Sequence, residues 1–506
     1  MKFLVLASLA GTLASAQLYR APHPAHDLAK RQAVSTTQPA ASASSARTAS
    51  GSRTRTAAAT HTIPAASSGI PTGGRAASSP LASLSKIGTA TSAEVQQALP
   101  TTYRAGAAPP VTGAPTLPDI SKLNPANYPP LDRMPPLDSP EMKEWLAEID
   151  LDNIPDVSPT GLNGCSNATN ADALAAAGED GNCWWTCGGC TRATDITFCP
   201  TKEDWGASFD DGPSPYTPRL LNLLEAQGLK STFFIVGSRA ISRPEMVQAE
   251  YMLGHQLSVH TWAHSSLTTL SNEEIVAELG WTKKVIKDIT GVTPNTFRPP
   301  YGDIDDRVRY IALQMGLRPI IWTMYNDEVF DTRDWQIGGG IVNATEAYMR
   351  FNTFIDQAVS HLPTGFIVLA HDLYQQSVDL AVDYVLPNVI NAGRLKIKTI
   401  ASCLGESLEE SYIETANFTA DDLVQTTSTV VGATGTGFVP DVGLFLAATG
   451  SASRGSDGNE SATATGAGVG ASQTASSGGG SSGAETVRVG AALLLGAAVL
   501  AAAMSA

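Results

Sequence analysis

Short β-rich runs alternate with helix-like segments through the middle of this 506-residue chain. The runs rich in β-branched and aromatic residues are 207–209, 231–236, 256–259, 296–298, 319–323, 366–370 and 395–400. The helix-like segments between them are 216–227, 243–253, 272–290, 305–315, 346–361 and 377–391. Such alternation predicts βαβ units and a parallel sheet. Roughly seven units without a nucleotide-binding fingerprint favour an α/β fold of the distorted (β/α)7-barrel type over an open sheet.

Residues 1–198, on the N-terminal side of the α/β region, differ from it in composition and divide into three segments. Residues 1–16 have a basic start, an apolar stretch and an A-x-A cleavage site, so they are predicted to be a secretory signal peptide. Residues 17–115 form a low-complexity region rich in Ser, Thr, Ala and Pro, which we expect to be disordered and to carry O-linked sugars. Residues 116–198 form a Pro-rich and Cys-rich lead-in segment. The net charge of −15 argues against a nucleic-acid partner.

The C-terminal side of the α/β region is also rich in small and hydroxyl-bearing residues. Residues 404–483 are predicted to be a Gly/Ser/Thr-rich stalk. Residues 484–506 are predicted to be a glycosylphosphatidylinositol signal that is removed on maturation, with Ser481 as the anchored residue. A transmembrane anchor is the alternative, but the apolar tail is short for a span of ~20 residues. The chain is therefore expected at the plasma membrane and in the cell wall, facing outward.

Six cysteines follow the predicted signal peptide, and an even number in a secreted protein indicates disulfides. A zinc knuckle formed by Cys183, Cys187 and Cys190 is the alternative. Cys199 and Cys403 bracket the segment that carries the motifs, so a bridge between them is the single pairing we predict. Four N-glycosylation sequons mark expected surface positions, at Asn167, Asn343, Asn417 and Asn459.

Two adjacent carboxylates, Asp210 and Asp211, lie at a predicted strand-to-helix turn. Like charges side by side repel each other unless a cation neutralises them. His260 and His264 are spaced to lie on one side of a helical turn. One Asp and two His form a typical three-ligand set for catalytic zinc, and the other Asp is then free to act as a base. Iron, cobalt or another divalent ion is the alternative.

Two further motifs follow predicted strands, where barrel enzymes place their chemistry. Arg298-Pro-Pro-Tyr301-Gly302 has a rigid backbone and an arginine that can hold a carboxylate. His371 ends the apolar run 366–370 and is an acid/base candidate.

Five motifs occur in order: Ser208-Phe-Asp-Asp211, His260-Thr-Trp-Ala-His264, Arg298-Pro-Pro-Tyr-Gly302, Asp331-Thr-Arg-Asp-Trp335 and Ile367-Val-Leu-Ala-His371. With them, residues 199–403 resemble the catalytic domain of the polysaccharide deacetylase family, carbohydrate esterase family 4. The anchor signal and the Trp-containing Cys-rich segment resemble fungal chitin deacetylases within that family. Ser208 stands where Thr is usual, and the hydroxyl group is kept.

The resemblance implies roles for the residues at the matching positions. Asp211, His260 and His264 would bind the metal. Asp210 would be the general base, and Arg298 would orient it.

The remaining implied roles concern the oxyanion, the acid and the acetyl group. The Tyr301 backbone N–H would stabilise the oxyanion. His371 would be the general acid, with Asp331 as its predicted carboxylate partner and Asp334 as the second choice. Two residues would line the acetyl pocket, Trp335 and Leu369.

The resemblance implies metal-dependent hydrolysis of N-acetyl groups on chitin or chito-oligosaccharides, giving chitosan and acetate during cell wall remodelling. Two alternatives remain at this point. One is deacetylation of another polysaccharide, such as xylan or peptidoglycan. The other is a non-catalytic wall protein that binds glycan. The oligomeric state is left open.

Overall fold

The computed structural model describes residues 84–91 and 97–417. The predicted signal peptide, most of the low-complexity region, and the predicted anchor segment with Ser481 lie outside these residues, as does Asn459. No helix within the described ranges is both long and apolar enough to cross a membrane.

Ten strands form three sheets in residues 84–91 and 97–417. They are β1 Asp204–Gly206, β2 Ser208–Asp210, β3 Thr232–Ile235, β4 Gln256–Val259, β5 Thr296–Phe297, β6 Arg318–Pro319, β7 Met324–Tyr325, β8 Glu328–Val329, β9 Phe366–Ile367 and β10 Lys396–Lys398. One sheet has the order β2-β3-β4-β5-β6 and a second has the order β10-β1-β9. All pairings in these two sheets are parallel, and β7 and β8 form an antiparallel hairpin. The predicted parallel α/β class is confirmed.

Backbone contacts connect the two parallel sheets. Only Ala207 separates β1 from β2, so one passage of the chain belongs to both sheets. Beyond the end of β6, the Thr323 N–H donates to the Ile367 carbonyl of β9 at 3.0 Å. In turn, Ile367 lies opposite Gly206 in β1. The segment that follows β6 at the edge of the larger sheet is therefore hydrogen-bonded to β9 of the smaller sheet. A complete seven-unit barrel remains a prediction.

Eleven α-helices accompany the strands in the described part of the chain. They are α1 Pro140–Ala147, α2 Ala171–Ala176, α3 Thr217–Ala226, α4 Gly237–Ser242, α5 Pro244–Met252, α6 Asn272–Thr290, α7 Asp306–Gln314, α8 Ala344–Ser360, α9 Gln375–Leu380, α10 Leu386–Ala392 and α11 Ile400–Leu404. Helix α6 has the predicted boundaries because local signals fix both ends. Ser271 and Glu274 form a reciprocal capping box, and Gly291 takes the left-handed conformation at the C-terminus. A π-helical turn, Ala381–Val385, interrupts the last predicted helix.

The lead-in segment and the described part of the low-complexity region belong to the packed domain. Val111, Leu117 and Met142 are at most 2% exposed, and Leu84 is fully buried. These residues join the same apolar core as the central strands. The prediction that residues 17–115 are disordered is therefore wrong for residues 97–115, whose few apolar side chains bury against the α/β domain.

The C-terminal boundary is also corrected. The stalk was predicted to begin at residue 404, but Tyr412 is fully buried. Its hydroxyl oxygen accepts the Leu257 N–H at 3.2 Å, and the Ile413 N–H donates to the Thr293 carbonyl at 2.9 Å. The buried ring and its polar partner at the start of β4 hold this segment on the domain.

Three disulfides use all six cysteines. Cys199–Cys403 is present as predicted, and its partners are 204 positions apart in sequence. The other two bridges are Cys165–Cys187 and Cys183–Cys190. Because these thiols are bonded to each other, the zinc-knuckle alternative is wrong.

Three of the sequons lie in the described residues. Asn343 and Asn417 are exposed. Asn167 is partly buried, and its Nδ2 donates to the Leu162 carbonyl at 2.8 Å.

Candidate active site

The predicted site residues meet at the C-terminal ends of the parallel strands. Strand β2 ends at Asp210, and β4 ends directly before His260. Strand β5 ends directly before Arg298. The extension of β9 reaches His371, which forms a parallel bridge with Asp210. Parallel strands thus bring together residues that are up to 161 positions apart in sequence.

Asp211, His260 and His264 form a group that can hold a metal ion. The Asp211 Oδ1 atom lies 3.3 Å from His260 Nε2 and 3.0 Å from His264 Nε2. Ligands held at ~2.1 Å by a tetrahedral ion lie ~3.4 Å from each other, so both distances to Asp211 Oδ1 are close to the spacing that such an ion requires. Asp211 Oδ1 is buried and has no hydrogen-bond partner among residues 84–91 and 97–417. The donor set and this oxygen both fit a bound cation.

Neighbouring groups orient the His260 ring and favour the ionised form of Asp211, as cation binding would require. His260 Nδ1 lies 2.8 Å from the Arg298 carbonyl, which can only accept, so Nδ1 donates to that carbonyl and Nε2 is the ring nitrogen that faces Asp211. Burial alone would raise the pKa of Asp211, but the two imidazoles and Arg239 hold it well below its usual range. Arg239 also donates to the Asp211 carbonyl at 2.7 Å. The sequence interpretation missed this arginine, although it closely follows β3 at the same edge of the sheet.

The two candidate metal-ligand histidines, His260 and His264, lie on an irregular loop, so the predicted helical turn is wrong. Thr261 and His264 have left-handed φ angles of 63° and 58°, which bring the imidazoles together without helical geometry. The buried Glu278 holds this loop, because its Oε2 accepts the N–H groups of Trp262 and Ala263 at 2.7 and 2.8 Å. A carboxylate in the interior of a helix gave no local sequence signal for this contact.

Asp210 is 1% exposed, and Arg298 is fully buried beside it. Arg298 Nη1 donates to Asp210 Oδ1 at 2.6 Å and to Ser208 Oγ at 3.0 Å. The guanidinium carbon lies 3.9 Å from the centre of the Phe234 ring, so the side chain is held from two sides. Asp210 Oδ2 is buried and unpartnered in the described part of the chain, so it can accept a proton. The Ser208 hydroxyl oxygen therefore helps to hold the Arg298 guanidinium beside Asp210.

Asp334, rather than Asp331, is the carboxylate that contacts His371. Asp334 Oδ1 lies 2.7 Å from His371 Nδ1, and Oδ2 accepts the His371 backbone N–H at 2.9 Å. Asp331 pairs with Leu369 through a backbone bridge, and its carboxylate accepts the Arg333 N–H. The choice of Asp331 was wrong because the short 3-10 turn that begins at Asp334 redirects the chain toward the histidine.

The ion pair sets the protonation state of His371. Burial alone would lower the pKa of this histidine, but the adjacent Asp334 carboxylate raises it to about 10. The ring is therefore cationic at neutral pH. Its Nδ1–H is committed to Asp334, which leaves Nε2–H as the second donor.

Tyr301 lies beside the candidate metal-ligand group, in contact with His264. It has left-handed backbone angles (φ 61°, ψ 8°), and its ring packs edge-on to His264 with 4.7 Å between centroids. Leu369 is 7% exposed and Trp335 is partly buried. Their role as walls of an acetyl pocket remains a prediction.

The Polysaccharide deacetylase family model matches residues 199–320. The chain is 55% identical over 358 residues to chitin deacetylase 1 of Cryptococcus neoformans var. grubii, covering 69% of this chain and 73% of the relative. It is 34% identical over 291 residues to a chitin deacetylase of Amylomyces rouxii, covering 55% and 66% of the two chains. A solved chitin deacetylase of Colletotrichum lindemuthianum is 25% identical, with a TM-score of 0.39, and covers 44% of this chain and 97% of that one. The chain belongs to the polysaccharide deacetylase family.

Proposed function

We propose that this chain hydrolyses the N-acetyl groups of chitin or chito-oligosaccharides, giving chitosan and acetate. The observation that carries the proposal is a buried carboxylate, Asp210, placed between an Asp-His-His group and the His371–Asp334 pair. This arrangement supplies a cation site, a base and an acid at the C-terminal ends of neighbouring parallel strands, as amide hydrolysis requires. The 55% identity to a chitin deacetylase supports the choice of substrate.

Zinc is the proposed metal, held by Asp211, His260 and His264, because a catalytic zinc site commonly has three nitrogen and oxygen ligands and one open position. When bound, the ion acts as a Lewis acid on the water and on the amide carbonyl. Cobalt or another divalent ion could occupy the same ligands.

Asp210 is the proposed general base. Its Oδ1 is held by Arg298, so Oδ2 remains to take a proton from the attacking water. The new bond joins the water oxygen to the acetyl carbonyl carbon, and the carbonyl oxygen gains negative charge. The Tyr301 N–H is the proposed donor that stabilises this charge.

His371 is the proposed general acid. Because it is cationic at neutral pH, its Nε2–H can be transferred to the sugar nitrogen as the C–N bond breaks. Acetate and a free amine are the products. Asp334 keeps the ring in the orientation that leaves Nε2 available. Trp335 and Leu369 are proposed to hold the acetyl methyl group.

Asp210→Asn tests the assignment of the base. The amide keeps an oxygen for Arg298 but cannot take the proton, so we expect kcat to fall at least ~1000-fold while zinc affinity stays within about threefold. Asp327→Asn, in an exposed turn, is the matched control and should retain full activity. Acetate release by Asp210→Asn at more than a tenth of the parent rate would exclude Asp210 as the base.

The proposed location is the cell surface, through a lipid anchor near Ser481, with proximity to the cell wall. Enzyme release by a phosphatidylinositol-specific phospholipase would support the anchor, and retention in the membrane fraction after the same treatment would contradict it.

A further inference from the structure

Asp303 accepts hydrogen bonds from side-chain or backbone donors on two other segments of the chain. It is 2% exposed and lies two residues after Tyr301. Its Oδ1 accepts from Trp184 Nε1 at 3.0 Å and from Thr186 Oγ1 at 2.9 Å. Its Oδ2 accepts from the Thr268 N–H at 3.1 Å, the Thr268 hydroxyl at 2.7 Å and the Ser266 hydroxyl. A buried carboxylate with five donors is a strong structural connection.

The segments that meet at Asp303 lead directly to the proposed catalytic groups. Ser266 lies two residues after the metal ligand His264, and Tyr301 carries the proposed oxyanion donor. Both His264 and Tyr301 have left-handed backbones without being glycine. Such conformations persist only where the surroundings fix them.

The third segment is the disulfide-closed loop between Cys183 and Cys190. In addition to the two bonds to Asp303, the Trp185 N–H donates to the Ile304 carbonyl at 3.0 Å. The Trp185 indole covers Gly302 so closely that a Cβ atom there would lie 2.3 Å from a ring carbon. The lead-in segment therefore packs against the Tyr301 loop at Gly302 and Ile304.

We propose that Asp303 is a positioning residue that fixes the Tyr301 loop and the His264 loop relative to each other, with the Trp184–Thr186 tripeptide as part of the support. The part of this inference that concerns Tyr301 as oxyanion donor rests on the proposed function. The part that concerns His264 rests only on the geometry of the Asp211, His260 and His264 group.

The donors explain why a carboxylate is required. Hydroxyl groups can reverse their hydrogen bonds, but the Trp184 indole N–H and the Thr268 backbone N–H can only donate. One of them faces Oδ1 and the other faces Oδ2. In Asp303→Asn, either orientation of the amide would place its NH2 group against an N–H donor.

The first experiment compares Asp303→Asn with Asp305→Asn in the full-length protein. Asp305 is also buried, but it caps α7 through one oxygen, and Asn is an equally good N-cap. We expect Asp303→Asn to weaken zinc affinity about 10-fold, measured by chelator competition, and to lower kcat about 10-fold at saturating zinc, with KM within threefold. Asp305→Asn should match the parent protein. If either zinc affinity or kcat of Asp303→Asn equals that of Asp305→Asn, the proposal is overturned.

A double variant separates positioning from general misfolding. Trp184→Phe removes one donor, so Asp303→Asn combined with Trp184→Phe should recover to within about threefold of Trp184→Phe alone. A double variant no more active than Asp303→Asn would contradict this explanation.

If Asp303→Asn is not secreted, Thr186→Val tests the same support. We expect a fivefold loss of kcat at an unchanged melting temperature. An unchanged kcat would overturn the proposal.

The two proposals fail in different ways. A parent protein that releases no acetate refutes the proposed function, whereas the zinc affinities of the two variants still decide whether Asp303 supports the metal-ligand loop.

Discussion

At the scale of single residues, the Asp334–His371 pair determines which protonation state the acid has. The carboxylate and the imidazole are both buried and 2.7 Å apart, so the cationic form of His371 is strongly favoured. Sequence alone identified the histidine, because it ends an apolar strand. It did not identify the partner, since Asp331 and Asp334 stand three residues apart and only the local turn decides between them.

Asp334→Asn should move the basic limb of the pH–rate profile to lower pH. The His371 pKa is raised to about 10 by its carboxylate partner, so the parent acid stays protonated until pH approaches that value. Removing the anion lowers the His371 pKa, and the variant should lose activity at least one pH unit earlier. Profiles of kcat/KM from pH 6 to 11 measure the shift. Asp331→Asn is the control, and a shift in Asp331→Asn without one in Asp334→Asn would contradict the assignment.

At the scale of elements, periodic segments could be predicted from the sequence and segments without periodicity could not. All seven predicted strand regions contain or directly adjoin observed strands, and α6 has its predicted ends because its caps are local signals. Helix α1 and the burial of residues 97–115 were not predicted. The apolar residues of these segments are scattered, and their contacts are with residues more than 100 positions away in sequence, as between Trp145 and Trp281.

Gly280→Ala should reveal the packing of the lead-in segment. Replacing a mid-helix glycine by alanine normally stabilises by ~1 kcal/mol. Here a Cβ atom would lie 2.4 Å from the Trp145 ring, which itself packs edge-on to Trp281. We therefore expect a loss of ~1–3 kcal/mol in unfolding free energy. In a Trp145→Ala background the same substitution should stabilise, and stabilisation in the parent background would show that Trp145 does not pack on α6.

At the scale of the whole molecule, buried titratable groups make stability depend on pH. His255 is fully buried, and its Nδ1 accepts the Ser231 N–H at 3.1 Å. Burial and the nearby Lys230 lower its pKa to about 3. Unfolding exposes a histidine with a pKa near ~6.5, so the unfolded chain binds an extra proton below that pH. Its contribution to stability is complete above pH ~6.5 and falls as the pH drops toward 3.

His255→Asn should reduce this acid sensitivity. The Asn oxygen can still accept the Ser231 N–H, but the side chain does not titrate. Thermal unfolding at pH 7.5 and 4.5 should show a smaller loss of melting temperature for the variant, because up to ~1.4 kcal/mol per pH unit comes from His255. Parallel losses in the two proteins would show that His255 is not responsible.

We expect the full-length protein to be a metal-dependent amidase. The measurement is acetate release from a soluble chito-oligosaccharide before chelation, after chelation and after zinc is restored. We expect release that chelation abolishes and zinc restores, since Asp211, His260 and His264 have the spacing of metal ligands. Release that persists after complete metal removal would contradict the mechanism. No release from chito-oligosaccharides, together with release from acetylated xylan, would contradict the substrate.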